Sequence, residues 1–208
     1  MLDCTDKHER LFLRLLSHRA LLYTEMITTG ALIYGDKERF LAYSEEALAE
    51  IKTGAHDTIY AQYLVIVSQA HFNLGNHQLS LEKKIECLPL IEKYYGLSSS
   101  FYLSLSLMIA QSYSYIFDFS KSIETYNKCL KISYNIYGEN SEEYLNTLIP
   151  ASMAYLNSEE YKTSLELCLK YIKICDKIYP LNHSDYGLVC QNAAKSYYKL
   201  GNYQESLN

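Results

Sequence analysis

From Tyr60 onward the chain repeats itself every 42 residues without a gap. Tyr60, Tyr102, Tyr144 and Tyr186 keep that step, and so do Ser80, Ser122, Ser164 and Ser206, each followed by Leu81, Ile123, Leu165 and Leu207. A third register carries the small residues Ser68, Ala110, Ser152 and Ala194. A fourth carries Tyr95, Tyr137 and Tyr179, followed by Gly96, Gly138 and Pro180. Self-similarity at a fixed step of this size marks a solenoid, in which each unit buries its apolar face only against its neighbours. The architecture is therefore strongly constrained, whereas no reaction is.

Each unit contains two apolar-periodic segments and a short turn. In the first unit these are residues 58–74 and 78–94, joined at Gly75-Asn76-His77, and the last unit has the equivalent turn Gly201-Asn202-Tyr203. An all-α fold of antiparallel helix pairs follows. Asp57, Ser99, Asn140 and Asp185 stand where N-caps belong, and Glu143 lies three residues after Asn140 as in a capping box. Gly96 and Gly138 stand where a helix ends in a left-handed residue, with Pro180 in that place in the third unit. Pro89 and Pro150 fall inside helical segments, where each removes a backbone hydrogen bond and is expected to kink its helix. The small residues at 68/110/152/194 and 80/122/164/206 let the two helices of a pair approach closely. The large ones at 71/113/155/197 and 77/119/161/203 are expected to fill gaps between units. Repeat boundaries of 58–97, 98–139, 140–183 and 184–208 result, the last unit stopping a few residues into its second helix, as in a chain cut from a longer parent.

Composition supports a folded, aqueous chain: 49% of residues are hydrophobic, 22 are tyrosine and none is tryptophan. Residues 1–54 hold 7 basic and 9 acidic groups and the remainder 12 and 15, so the net charge of −5 is evenly spread. Without a basic stripe a nucleic-acid footprint is not indicated. No run reaches the roughly 18 apolar residues of a membrane span, and the polar first residues lack the apolar centre of a signal peptide, so a cytoplasmic location is expected. The six cysteines contain no Cys-x-x-Cys pair and read as small buried hydrophobes.

The repeats resemble the tetratricopeptide repeat. Leu200-Gly201-Asn202-Tyr203-Gln204-Glu205-Ser206-Leu207 carries its leucine-glycine-x-tyrosine-x-x-alanine-leucine core with serine for alanine. The usual period is about 34 residues, and the eight extra suggest about one more turn on each helix. The longer unit is similar to the kinesin-light-chain type, of whose ending Pro180-Leu181-Asn182-His183 is a worn version. HEAT repeats share the length but lack the small-residue registers. The resemblance covers residues 55–208 and implies a right-handed α-solenoid whose first helices line a concave groove. The groove positions would be Gln62, Val65, Gln69, Phe72 and Asn73 in the first unit, then Ser104, Leu107, Gln111, Ser114 and Tyr115. The third unit supplies Asn146, Ile149, Met153, Leu156 and Asn157, and the fourth Leu188, Gln191, Lys195, Tyr198 and Lys199. Amides and aromatics at such intervals hold an extended peptide. The lysine–asparagine pairs that clamp a terminal carboxylate in some relatives are replaced by Val65/Gln69, Leu107/Gln111 and Ile149/Met153.

Residues 1–54 begin differently. A helical pattern with Leu11, Phe12, Leu15 and Leu16 is followed by an apolar run over 20–33 rich in β-formers, a turn at Gly35-Asp36-Lys37, and a helix over 38–52. Met1-Leu2-Asp3, Thr5-Asp6, His8, Leu15-Leu16-Ser17 and nearly all of Leu21 to Gly35-Asp36 resemble the start of an A-type bacterial tRNA-dihydrouridine synthase. Cys4 departs from the family's tryptophan. The resemblance covers about residues 1–43 and implies a piece of a flavin-binding (β/α)₈ barrel, with FMN as cofactor and tRNA as substrate. Such barrels take about 250 residues. The other strands, the glycine-cysteine-proline loop with the catalytic cysteine and the flavin-holding loops have no counterpart in the 208 residues. This reading is a fused remnant without dihydrouridine synthase activity, either packed as helices on the repeats or poorly ordered.

No catalytic, cofactor-binding or metal-ligating set emerges from the side chains. His71 and His77 occupy slots that other units fill with aromatics. His8, His18, His56 and His183 have no spaced carboxylate or thiol partners. Glu142-Glu143 and Glu159-Glu160 read as helix-start charges. The leading expectation is a non-enzymatic scaffold that binds a protein or peptide of unknown identity, with no metal, cofactor or membrane.

Overall fold

The computed structural model describes residues 37–52, 57–178 and 185–206. Among these every regular element is a helix: α1 (Lys37–Lys52), α2 (Asp57–Asn73), α3 (His77–Tyr95), α4 (Ser100–Tyr115), α5 (Phe119–Tyr137), α6 (Glu142–Asn157), α7 (Tyr161–Ile178) and α8 (Tyr186–Lys199). The expected features over 11–33, Pro180 and His183 lie outside the described residues. Packing groups the chain into two compact units that divide after Lys83, within α3. In the first unit, the helix expected over 38–52 is present as α1 and packs on α2. In the second, each helix from α4 to α8 packs on the next, and α6 also touches α4 and α8. The first helices of successive pairs thus lie side by side in one layer of this unit.

Turn chemistry repeats with the sequence. Gly96 and Gly138 follow α3 and α5 with φ of 81° and 85°, a region that glycine adopts without a Cβ penalty. Three residues on, Ser99 Oγ accepts from the Tyr102 amide at 3.1 Å and donates to the Gly96 carbonyl at 2.8 Å. One period later Ser141 Oγ accepts from the Tyr144 amide at 3.2 Å and donates to the Gly138 carbonyl at 2.9 Å. The cap of α6 is therefore Ser141, not Asn140: the spacing to Glu143 pointed one residue too early, whereas the 42-residue step from Ser99 lands on Ser141. Asp185 takes the N-cap position of α8 without a side-chain bond to a helix amide, and Asp57 is the first residue of α2. Pro89 and Pro150 lie inside α3 and α6, and both helices continue through them.

The registers of small residues form a hydrogen-bond ladder. Ser80 Oγ in α3 donates to the Ser68 carbonyl in α2 at 2.7 Å. Ser122 Oγ in α5 donates to Ala110 O in α4 at 2.9 Å, and Ser164 Oγ in α7 to Ser152 O in α6 at 2.9 Å. All three hydroxyls belong to residues with no exposed surface. A side chain one atom long lets the backbone of one helix come within hydrogen-bond reach of the other, and the hydroxyl satisfies itself on a carbonyl that is already part of a helix. Around this ladder pack apolar clusters. One gathers Tyr144, Leu145, Leu148, Cys168, Tyr171, Ile174 and Val189, and a smaller one Ala110, Tyr126, Ala151 and Ala154.

At 77, 119 and 203 the large residues make ring contacts close by in the chain. Their ring partners are on their own turn: His77 meets Phe72 at 5.0 Å, Phe119 meets Phe117 at 6.1 Å, and Tyr203 meets Tyr198 at 5.4 Å. Each residue follows a reversal so tight that its ring folds back over the end of the preceding helix. At 71 and 155 the side chains do reach another pair: His71 Nε2 is 3.0 Å from Glu45 Oε1 on α1, and Asn127 Nδ2 on α5 donates to Tyr155 OH at 2.8 Å.

The turns between paired helices also share one backbone state. Gly75, Phe117, Glu159 and Gly201, spaced by 42, have φ of 81°, 62°, 67° and 83°. Two units use glycine for this left-handed residue and two do not, and Phe117 is in addition 79% exposed. Three stability outcomes follow. Ser80→Ala lowers unfolding free energy by about 1 kcal/mol, the value of one hydrogen bond whose partner stays satisfied, and Ser122→Val costs about 1–3 kcal/mol because its methyls overpack the contact. Phe117→Gly raises stability by about 1 kcal/mol through relief of the left-handed strain. Urea titration followed by circular dichroism checks all three, and a Ser122→Val protein as stable as wild type contradicts the close-approach account.

Candidate functional site

The first helix of each pair has one side turned away from its second helix, and the expected binding residues fall there by helical spacing. In the first unit Gln62, Gln69 and Asn73 of α2 are exposed, with Phe72 and Val65 half-buried. Gln69 Nε2 donates to Asn73 Oδ1 at 3.0 Å, which holds two amides as a pair one turn apart. In the second unit Ser104, Gln111 and Tyr115 of α4 are exposed, as are Asn146, Met153 and Asn157 of α6 and Leu188, Gln191, Lys195, Tyr198 and Lys199 of α8. Leu107, Ser114 and Leu156 are half-buried.

Because α6 adjoins both α4 and α8, the structure brings the exposed residues of these three helices onto one face of the second unit. Gln62, Gln69, Phe72 and Asn73 sit on the equivalent side of α2 in the other unit. Ile149 departs from the expectation. It is 9% exposed and belongs to the core with Tyr144, Leu145 and Leu148. Its position lies at the margin between face and core, so an apolar side chain turns inward there, whereas Gln191 one period later stays in water.

The face is neutral over most of its length, with amides, hydroxyls and single aromatics. No carboxylate stands at any of these positions, and the charges are the ammonium groups of Lys195 and Lys199, one helical turn apart. Such a surface offers donors and acceptors for another chain's backbone and apolar ledges for its side chains.

Elsewhere the reactive groups are quenched by their surroundings. Burial pushes the Cys87 thiol up to about 11 and that of Cys129 up to about 12. Burial also raises Cys168, Cys175 and Cys190. A thiol so shifted holds almost no thiolate at neutral pH. Among the described residues no three His, Cys, Asp or Glu side chains converge as a metal site, and no helix is long and apolar enough to cross a membrane. A depression of about 310 Å³ is lined by Glu38, Leu41, Ala42, Glu45, Leu74 and Asn76, none of which is among the expected binding residues.

One exposed cluster escaped sequence reading. Tyr95 and Phe101 stack at 4.7 Å across the turn between α3 and α4, with Tyr94 and Leu97 exposed beside them. The signal was present in the registers, since Glu143 and Asp185 stand where this unit has Phe101.

Comparison with known proteins divides the chain. Residues 1–54 match the dihydrouridine synthase (Dus) family model. A tRNA-dihydrouridine(20/20a) synthase of Pseudomonas syringae is 67% identical over 45 residues, which are 22% of this chain and 13% of that enzyme. The Escherichia coli K12 enzyme is 70% identical over 46 residues, again 22% of this chain and 13% of its own length. The chain thus spans about one eighth of the curated relatives it matches. By structure, the whole is similar to BtubC (BKLC) from P. vanneervenii, with a TM-score of 0.79 at 14% identity over 93% of this chain and 80% of that one. A Podosopora anserina kinesin light chain with nearly identical TPR-like repeats gives a TM-score of 0.80 at 15% identity over 91% of this chain and 90% of that one. A Rap protein complexed with Competence and Sporulation Factor gives 0.62 at 12% identity over 89% of this chain and 48% of that one. The fold is that of helical tetratricopeptide-like repeats, preceded by a stretch similar to the dihydrouridine synthases.

Proposed function

We propose that this protein is a non-catalytic scaffold that holds an extended segment of a protein partner against the exposed side of its first helices. The carrying observation is periodic. At 104/146/188, 111/153/195 and 115/157/199 the side chain is exposed in every unit of α4, α6 and α8. The row mixes three amides (Gln111, Asn146, Asn157), one hydroxyl (Ser104), one aromatic (Tyr115), two aliphatic side chains (Met153, Leu188) and two lysines (Lys195, Lys199), with no acid among them. A Rap protein of similar fold has been solved with Competence and Sporulation Factor bound, which supports reading these repeats as a surface for another molecule. An elongated ligand laid across three helices is ordered by many modest contacts, and the most valuable of them are the aromatic anchors.

A second reading rests on the family match of residues 1–54: a tRNA-modifying, FMN-dependent fragment. Against it, a barrel active site is assembled from the ends of several strands, and the described part of this segment is the single helix α1.

Two measurements separate these readings. Peptides selected from a random 12-residue display library on the full chain lose at least tenfold in affinity when Gln111→Ala, Tyr115→Ala and Lys195→Ala are combined, with helix content unchanged. Equal affinity for the variant removes the proposed face. The purified full chain is colourless, and a flavin absorption band in its visible spectrum reinstates the enzymatic reading.

A further inference from the structure

One turn before Ser104, on the same stripe of α4, stands Phe101, and helical spacing carries that stripe on through Gln111 and Tyr115. Phe101 is 59% exposed. Its ring lies 4.7 Å from that of Tyr95 at an interplanar angle of 40°, and Leu97 in the turn between them is exposed as well. Large apolar side chains gathered at a surface mark a place where another molecule docks. The two rings already hold each other, so little rotamer freedom remains to be lost on contact.

The same position is acidic in the next two first helices. Phe101 gives way to Glu143 in the first turn of α6 and to Asp185 at the N-cap of α8. Glu143 is exposed beside Glu142, and Asp185 is half-buried. Glu139 in the preceding loop is engaged by Lys170 at 3.2 Å, whereas among the described residues no cation is paired with Glu143. Because α6 adjoins both α4 and α8, these positions form a rim that runs from aromatic to acid across the N-terminal ends of the three helices. Lys195 and Lys199 do not neutralise it, since ten or more helical residues put them about 15 Å or more along the axis from Asp185.

Spacing translates the rim into a ligand. Neighbouring helices pack about 10 Å apart, and an extended chain rises about 3.3 Å per residue. One rim position is therefore about three ligand residues from the next. We propose that the segment this protein binds carries a large apolar residue and a basic residue three places apart, with a second basic residue three places further. The apolar side chain seats on Phe101, Tyr95 and Leu97, and the basic ones face Glu143 and Asp185. This rests on the exposed side of the first helices being the binding face, and it adds the chemistry of the partner. A second copy of the chain is the poorer occupant, because a two-fold contact brings like surface to like surface and sets carboxylate against carboxylate.

The test selects 12-residue peptides from a random display library on the full chain and measures their affinity, once labelled, by fluorescence anisotropy. Selected peptides pair a large apolar residue with lysine or arginine at the three-residue spacing. Phe101→Ser weakens them about tenfold, as loss of an aromatic anchor does. Glu143→Lys weakens them about fivefold at low salt, and peptides with glutamate in place of the facing lysine regain on that variant what they lose on wild type. Both substitutions lie on exposed positions, and the glutamate peptides test the charge on the wild-type protein as well. Suppose the peptides show no basic preference and bind Glu143→Lys as they bind wild type, yet weaken when Gln111→Ala, Tyr115→Ala and Lys195→Ala are combined. The proposal is then overturned and the binding face stands. Peptides indifferent to every one of these substitutions, or an empty selection, overturn both. A dimer in light scattering that Phe101→Ser dissociates gives the aromatic corner to a second copy and overturns the proposal too.

Discussion

Each described helix pair after α1 is closed by a serine hydroxyl on the second helix reaching a carbonyl of the first. The bond is modest, but the distance it enforces is not negotiable: 2.7 Å at Ser80 and 2.9 Å at Ser122 and Ser164 leave no room for a further methyl. Because the closest approach is fixed there, the larger side chains on either side are sorted. Those above and below it meet within the pair, and those displaced by a turn meet the neighbouring pair. The apolar clusters around Tyr144 and Ala110 are arranged about these contacts, and the first helices of the second unit are held side by side as a result.

What was legible in the chain was whatever recurred. The serine registers, the left-handed glycines and the exposed column beginning at Ser104 all repeat at one step, so a comparison of the sequence with itself finds them. Errors arose where local spacing was preferred to that step. Asn140 with Glu143 imitates a capping box, yet the hydroxyl that caps α6 is on Ser141, 42 residues after Ser99. Ile149 failed for another reason, since a position at the edge of a face takes its side from its own polarity.

The contrast between the two ends of the sequence bears on what a short match implies. The stretch similar to dihydrouridine synthases is far closer in sequence to its relatives than the repeats are to theirs, at 67% against 14–15% identity. Yet the repeats carry most of the structure. A barrel enzyme distributes its chemistry over many strand ends, so a high-identity eighth of it conveys ancestry more readily than activity. A repeat distributes its physics evenly, so that low identity still leaves a complete set of contacts in every unit.

Pro150 adds a feature to α6 that its neighbours lack. A proline inside a helix withholds the amide that would have met the carbonyl four residues earlier, and that carbonyl belongs to Asn146, on the exposed side of the helix. Its counterparts Ser104 and Leu188 keep their donors, from the amides of Met108 and Asn192. The middle helix of the three therefore presents, beside the exposed Asn146 side chain, a main-chain oxygen that lacks the i+4 amide donor its counterparts keep.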